Sequence, residues 1–167
     1  NSGEAVKHPG IVKDYKSVAK SLGIERAIFV QAKDFGTDNN CLLDGIKEFG
    51  IDNSRGVAVV TPDISEKELS DLYKGGVRGF RFSLWNPNNA VVTLDMMKPL
   101  AEKIKQFDMH IQIHMSGDQI VENEDLINSL GVTTVIDHMG RLNPNIGLEH
   151  SAFLAICKLI DKGNTWV

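Results

Sequence analysis

Val132-Thr133-Thr134-Val135-Ile136-Asp137-His138-Met139-Gly140-Arg141 is the stretch on which the fold turns. An apolar, β-branched run passes without a turn residue and then stops at an aspartate, a histidine, a glycine and an arginine. Such a run reads as a buried parallel strand. Polar and titratable groups gathered at its C-terminal end are what a barrel strand presents to a ligand site.

The same unit recurs outward in both directions. Apolar spacing predicts a helix over 14–22, stopped by Gly23, then a strand over 27–31. A helix over 40–49 stops at Gly50 and leads to a strand over 56–60. Ser65, with an acidic first turn, opens a third helix that ends at Gly75-Gly76. A strand over 77–84 follows, then an Asn- and Pro-rich loop, a long helix over 93–107 and a strand over 110–114. A helix over 122–130 ends at Gly131 and precedes the opening strand; a further helix covers 151–160, and Thr165-Trp166-Val167 begins one more strand.

Strands alternating with helices imply parallel βα units with right-handed crossovers. The expected fold class is therefore α/β, a single domain over 1–167 in the form of a (β/α)8 TIM barrel with about five to six βα units present. An open doubly wound sheet is the alternative. The strand ends favour the barrel. Gly79, Arg81 and Ser83 share one side of their strand, and Gln112 and His114 share one side of theirs. Gln31 ends another. Each strand thus has an apolar side for helices and a second side that turns polar toward its end. A closed barrel takes about 250 residues, and the chain begins on a helix and ends on a strand's first residues, so it is expected to be incomplete at both ends.

A net charge of −4 gives no electrostatic reason to expect nucleic acid or an anionic membrane as partner. No apolar run approaches the ~20 residues of a membrane helix. Cys41 and Cys157 fall in predicted helices without a metal or redox spacing, and are expected to be reduced, buried thiols of a cytoplasmic protein.

At the strand ends, His114 and His138 could be hydrogen-bonded structural residues, metal ligands or proton relays. Arg81, inward between phenylalanines, needs a carboxylate from the protein or from a substrate, and substrate is the favoured partner. Arg141 follows Gly140 with a donor fork suited to a planar anion. Arg78 is expected to be a structural ion-pair residue. Alternation puts Asp137 on the side opposite His138, as a supporting carboxylate rather than a base. His8 and His150 carry no functional expectation. The partner implied is a small anionic molecule.

Three segments together resemble the amidohydrolase family 2 branch of the amidohydrolase superfamily, and within it the 2-pyrone-4,6-dicarboxylate lactonase-like hydrolases. They are Val135-Ile136-Asp137-His138-Met139-Gly140-Arg141, Gly76 to Leu84 with Asn86-Pro87, and Phe29-Val30-Gln31 followed by Gly36-Thr37-Asp38-Asn39. The resemblance implies a distorted (β/α)8 barrel and a hydrolase that opens a small carboxylated lactone. It implies that His138 polarises the scissile carbonyl and that Arg81 and Arg141 hold substrate carboxylates, with His114, Gln31 and Ser83 as further substrate-binding candidates. A HxH motif expected before Asn1 and a catalytic aspartate expected beyond Val167 have no counterpart. Pro87 stands where the dicarboxylate lactonase has another arginine, and His114 where it has tyrosine. The expectation is a reaction without cofactor. The alternative is a metal-dependent decarboxylase, with His114 ligating a divalent ion such as Zn; a second alternative is a non-catalytic barrel that serves as a binding module.

Overall fold

The computed structural model describes residues 10–167. Six parallel strands lie in one sheet in chain order: β1 (Ala27–Val30), β2 (Ser54–Ala58), β3 (Val77–Ser83), β4 (His110–His114), β5 (Thr134–Ile136) and β6 (Thr165–Trp166). The helices are α1 (Val12–Ser21), α2 (Asn40–Phe49), α3 (Glu66–Lys74), α4 (Met97–Ile104), α5 (Gly117–Glu122), α6 (Glu124–Ser129) and α7 (Ser151–Asp161). Consecutive parallel neighbours joined by helical crossovers are the repeating unit of a (β/α)8 barrel. A doubly wound sheet would instead reverse its strand order at a switch point.

Register divides the sheet into two faces. Phe80, Ile111 and Thr134 stand side by side on one, as do Phe82, Ile113 and Ile136. These side chains are buried, and the apolar ones join Leu100, Ile104, Ile120 and Ile156 from the helices in one core. Gly56 lies on this face because a Cβ there would meet Ile46 Cδ1 at 2.7 Å. The opposite face carries Val57, Gly79, Arg81, His110, Gln112 and Val135 across β2 to β5. Gly79 leaves room for the His110 ring, whose atoms would lie 2.3 Å from an added Cβ. Burial lowers the His110 pKa, which keeps that ring neutral on the barrel floor.

Several boundaries differ from the sequence expectation. The long helix expected over 93–107 is helical only over α4, with 3-10 turns at Leu94–Met96 and Lys105–Phe107. The helix expected over 122–130 is α6, and a short helix that was not expected, α5, precedes it, the two being separated at Asn123. A complete capping box starts α5: Ser116 Oγ accepts from the Gln119 N–H, and the Gln119 side chain accepts from the Ser116 N–H. Arg78 is the extra residue where β3 slips against β2. Its role is structural, but through carbonyls and a ring rather than an ion pair: it donates to Tyr73 O and Val77 O and lies 3.9 Å over the Tyr73 ring. Both cysteines are free thiols; Cys157 is half-buried, but Cys41 is exposed, because it sits on the solvent side of the first turn of α2. His8 lies outside the described residues, and His150 caps α7 by accepting from the Ala152 N–H. Among the described residues no helix is long and apolar enough to cross a membrane.

Candidate active site at the strand ends

The C-terminal ends of β3, β4 and β5 bring Arg81, Ser83, His114, Asp137, His138 and Arg141 together. Adjacent in-register strands do most of this. Arg81 pairs with Gln112, Ser83 with His114, and Gln112 with Val135, so alternation carries Asp137 onto the face that holds Arg81. Arg81 Nε donates to Asp137 Oδ2 at 2.8 Å, and Gln112 Nε2 donates to Asp137 Oδ1 at 2.6 Å. The ion pair is mostly enclosed, the two side chains being 13% and 16% exposed. This corrects two expectations. Asp137 belongs to the inward face, and a carboxylate of the protein, rather than of a substrate alone, balances Arg81.

His138 reaches the same place by another route. β5 ends at Ile136, so alternation no longer places the residue after Asp137. The chain turns left-handed instead, with φ of 51° at His138, 52° at Met139, 62° at Gly140 and 48° at Arg141. This conformation costs roughly 1–2 kcal/mol for each non-glycine residue, so the surroundings must hold it. Gly140 is buried under the turn, where a Cβ would meet Ile156 Cδ1 at 2.6 Å and Ile120 Cδ1 at 3.1 Å. At the turn's end Arg141 is held from two sides. In a three-residue turn positions i and i+3 eclipse, which brings His138 and Arg141 to the same side. The turn therefore exchanges backbone strain for an imidazole and a guanidinium that both meet His114 at one mouth.

His114 is the centre of the cluster. Its ring lies 4.9 Å from that of His138 in an edge-to-face arrangement and 6.1 Å from that of Trp85, nearly parallel. Arg141 Nε donates to His114 Nε2 at 2.8 Å, and His114 Nδ1 contacts Ser83 Oγ at 2.9 Å. An arginine can only donate, so Nε2 is the unprotonated nitrogen, and the proton on Nδ1 goes to Ser83. Burial, then the positive charges of Arg81 and Arg141, bring the His114 pKa down to about 4.

The neutral ring makes a pH prediction with a definite sign. Unfolded, His114 titrates near 6.5. Between that value and about 4 the unfolded chain binds the extra proton and the folded one does not. The contribution to stability is thus complete above the unfolded value and is lost as the pH falls toward 4. NMR titration should place the His114 midpoint near 4, with the Arg141 contact breaking as Nε2 protonates. A midpoint near 6.5 would contradict the arrangement.

Gln31 is buried but stands apart from this cluster: its amide donates to Asp38 O at 2.6 Å and Gly36 O at 3.4 Å, fastening the loop after β1. Asn39, which the sequence did not single out, does similar work, donating to Val59 O and accepting from the Val59 N–H. Trp85 was also missed. It is half-exposed and covers the Arg141 guanidinium, with Cζ 3.8 Å from the ring centroid. A lone aromatic ahead of Asn86-Pro87 was the only signal.

For a metal the donors do not fit. Both ring nitrogens of His114 are engaged, and a guanidinium sits directly on Nε2. Among the described residues no group of three or more His, Cys, Asp or Glu side chains converges to hold an ion.

A βα array whose chemistry-bearing side chains sit at the C-terminal strand ends defines a barrel with an enzyme-like mouth. The amidohydrolase family model matches residues 11–167, and the chain belongs to that family. It is 33% identical over 146 residues to a 2-pyrone-4,6-dicarboxylate hydrolase of Comamonas testosteroni, a match that covers 87% of this chain and 48% of that protein. It is 27% identical over 159 residues to a 4-sulfomuconolactone hydrolase of Hydrogenophaga intermedia, covering 93% of this chain and 51% of the relative. An apo crystal structure from Agrobacterium tumefaciens superposes with a TM-score of 0.86 at 25% identity, over 99% of this chain and 60% of that one. The chain spans about half the length of the curated relatives it matches.

Proposed function

We propose that this chain supplies the substrate-anion and carbonyl-polarising side of a hydrolase that opens a small, negatively charged lactone. One observation carries the reading. Arg81 and Arg141 are each tethered through Nε, to Asp137 and to His114, so these contacts leave unused the terminal nitrogens that grip an anion. Two pre-oriented forks beside an imidazole suit a lactone ring with an anionic substituent. The relatives' names, a pyrone dicarboxylate hydrolase and a sulfomuconolactone hydrolase, support an anionic lactone.

In the reaction, water adds to the ring carbonyl carbon and the ring C–O bond breaks. A carboxylate and a hydroxyl form, and one proton is released. His138 donates to the carbonyl oxygen as negative charge develops on it. Asp137 is not the water-activating base, since Arg81 and Gln112 occupy both its oxygens. The resemblance puts that base outside these residues. No step is derived through a metal, and the decarboxylase reading loses its proposed ligand because His114 is already engaged on both nitrogens. The setting we propose is a cytoplasmic enzyme acting on a small molecule.

The test is hydrolysis by the full protein of 2-pyrone-4,6-dicarboxylate, 4-sulfomuconolactone and an uncharged lactone of equal ring size. The charged lactones should be opened and the uncharged one disfavoured. Arg81→Met should raise KM for the charged lactone at least about tenfold, the scale of a charge-assisted hydrogen bond. Binding without turnover would identify a non-catalytic barrel, and an unchanged KM would refute the anchoring role of Arg81.

A further inference from the structure

Trp85 does more than cover a surface. Arg141 Cζ lies 3.8 Å from its ring centroid, while Arg141 Nε is bonded to His114 Nε2, and the Trp85 and His114 rings are within 25° of parallel. The guanidinium is thus fixed by one face and one edge. Trp85 is itself anchored. The N–H groups of Leu84 and Trp85 both donate to His114 O at 2.9 Å, and Leu84 O accepts from Gln119 Nε2 at 3.0 Å. The strand end that carries the indole is therefore stitched to the strand end that carries the imidazole. A half-exposed tryptophan held this firmly by its backbone is a platform. Arginine has a long, rotamer-rich side chain, and fixing it before substrate arrives spares that ordering during binding.

We propose that Trp85 is a positioning residue that presents Arg141 to the anionic group of the substrate, and so sets the preference for charged over uncharged lactones. This rests on the reading of Arg141 as an anion ligand. The probes are 2-pyrone-4,6-dicarboxylate and an uncharged lactone of equal ring size, with Trp85→Leu, Trp85→Phe and Arg141→Met in the full protein. Losing the π face should raise KM for the dicarboxylate about tenfold, with kcat within twofold and the uncharged lactone unaffected. Trp85→Phe should keep most of the affinity. In the double variant, Trp85→Leu should add nothing to Arg141→Met, because there is no longer a guanidinium to hold.

Should Arg141→Met raise KM while Trp85→Leu leaves it unchanged, the role of Trp85 is overturned and the anion reading stands. Should Arg141→Met itself leave KM unchanged, the anion reading fails. An equal loss on both lactones with Trp85→Leu would mark a merely structural tryptophan and also overturn the proposal. A readout independent of activity is the Arg141 Nε–H proton resonance, shifted by the indole ring current. It should move in Trp85→Leu and hold nearer its place in Trp85→Phe. A resonance that stays fixed in Trp85→Leu overturns the clamp.

Discussion

His138→Ala should lower kcat/KM for an anionic lactone by about 10²–10³-fold, almost entirely in kcat, while the barrel remains folded. That is the cost of removing one donor from a developing oxyanion. The fold should survive because His138 is exposed, its ring meeting His114 edge-on rather than filling the core. The left-handed backbone at this position complicates alanine, which bears the same strain with no side-chain contact to offset it. His138→Asn answers that difficulty. Asparagine enters the left-handed region more readily than most residues, so it preserves the turn and still loses the imidazole. Both variants should unfold within about 1 kcal/mol of the parent in urea, because an exposed side chain is changed while Gly140 and its packing, which hold the turn, are kept. Retained turnover in His138→Asn would end the catalytic assignment, and unchanged KM would separate it from the binding role of the arginines.

The route by which His138 enters the site explains what could be read from the residues and what could not. The strands, their parallel order and the polar face carrying Arg81, Ser83 and His114 follow from period-2 alternation, which register then repeats across the sheet. Carried on from Val135, the same rule puts Asp137 on the inward face, where it bonds Arg81 and Gln112. What the residues hide is which side of β5 faces inward, because Thr134, Val135 and Ile136 are all β-branched and neither side reads as polar. At His138 alternation gives out: the strand ends at Ile136, and the left-handed turn carries the imidazole to the mouth. Nothing local in Met139 or Arg141 favours positive φ; the turn is imposed by Gly140 packed on Ile156 and by Arg141 held on His114 and Trp85. Gln31 illustrates the opposite case. A polar residue at a strand end resembles a ligand group, yet its amide is used by the backbone of the next loop.

Asp137→Ala should destabilise the protein by about 3 kcal/mol, more than any other single truncation at the mouth, because it strands a guanidinium that is only 13% exposed. Both carboxylate oxygens are in use, so the loss falls on two partners at once: Arg81 keeps its charge without a counterion, and the Gln112 amide loses its acceptor. Asp137→Asn should cost less, since its amide oxygen can still accept one of the two bonds. The diagnostic measurement is a double-mutant cycle with Arg81→Met. If the pair behaves as a mutually compensated ion pair, the double variant should regain part of the loss, because removing both charges leaves no uncompensated one. Additive losses, by contrast, would mean that Asp137 serves Gln112 and the turn rather than Arg81. Kinetics separate the same possibilities on the functional side. With Asp137 gone, Arg81 loses the tether that aims its terminal nitrogens, so KM for an anionic lactone should rise in Asp137→Ala even where urea titration shows the protein fully folded. A KM that stays at the parent value in folded Asp137→Ala would mean that the orientation of Arg81 does not depend on this carboxylate.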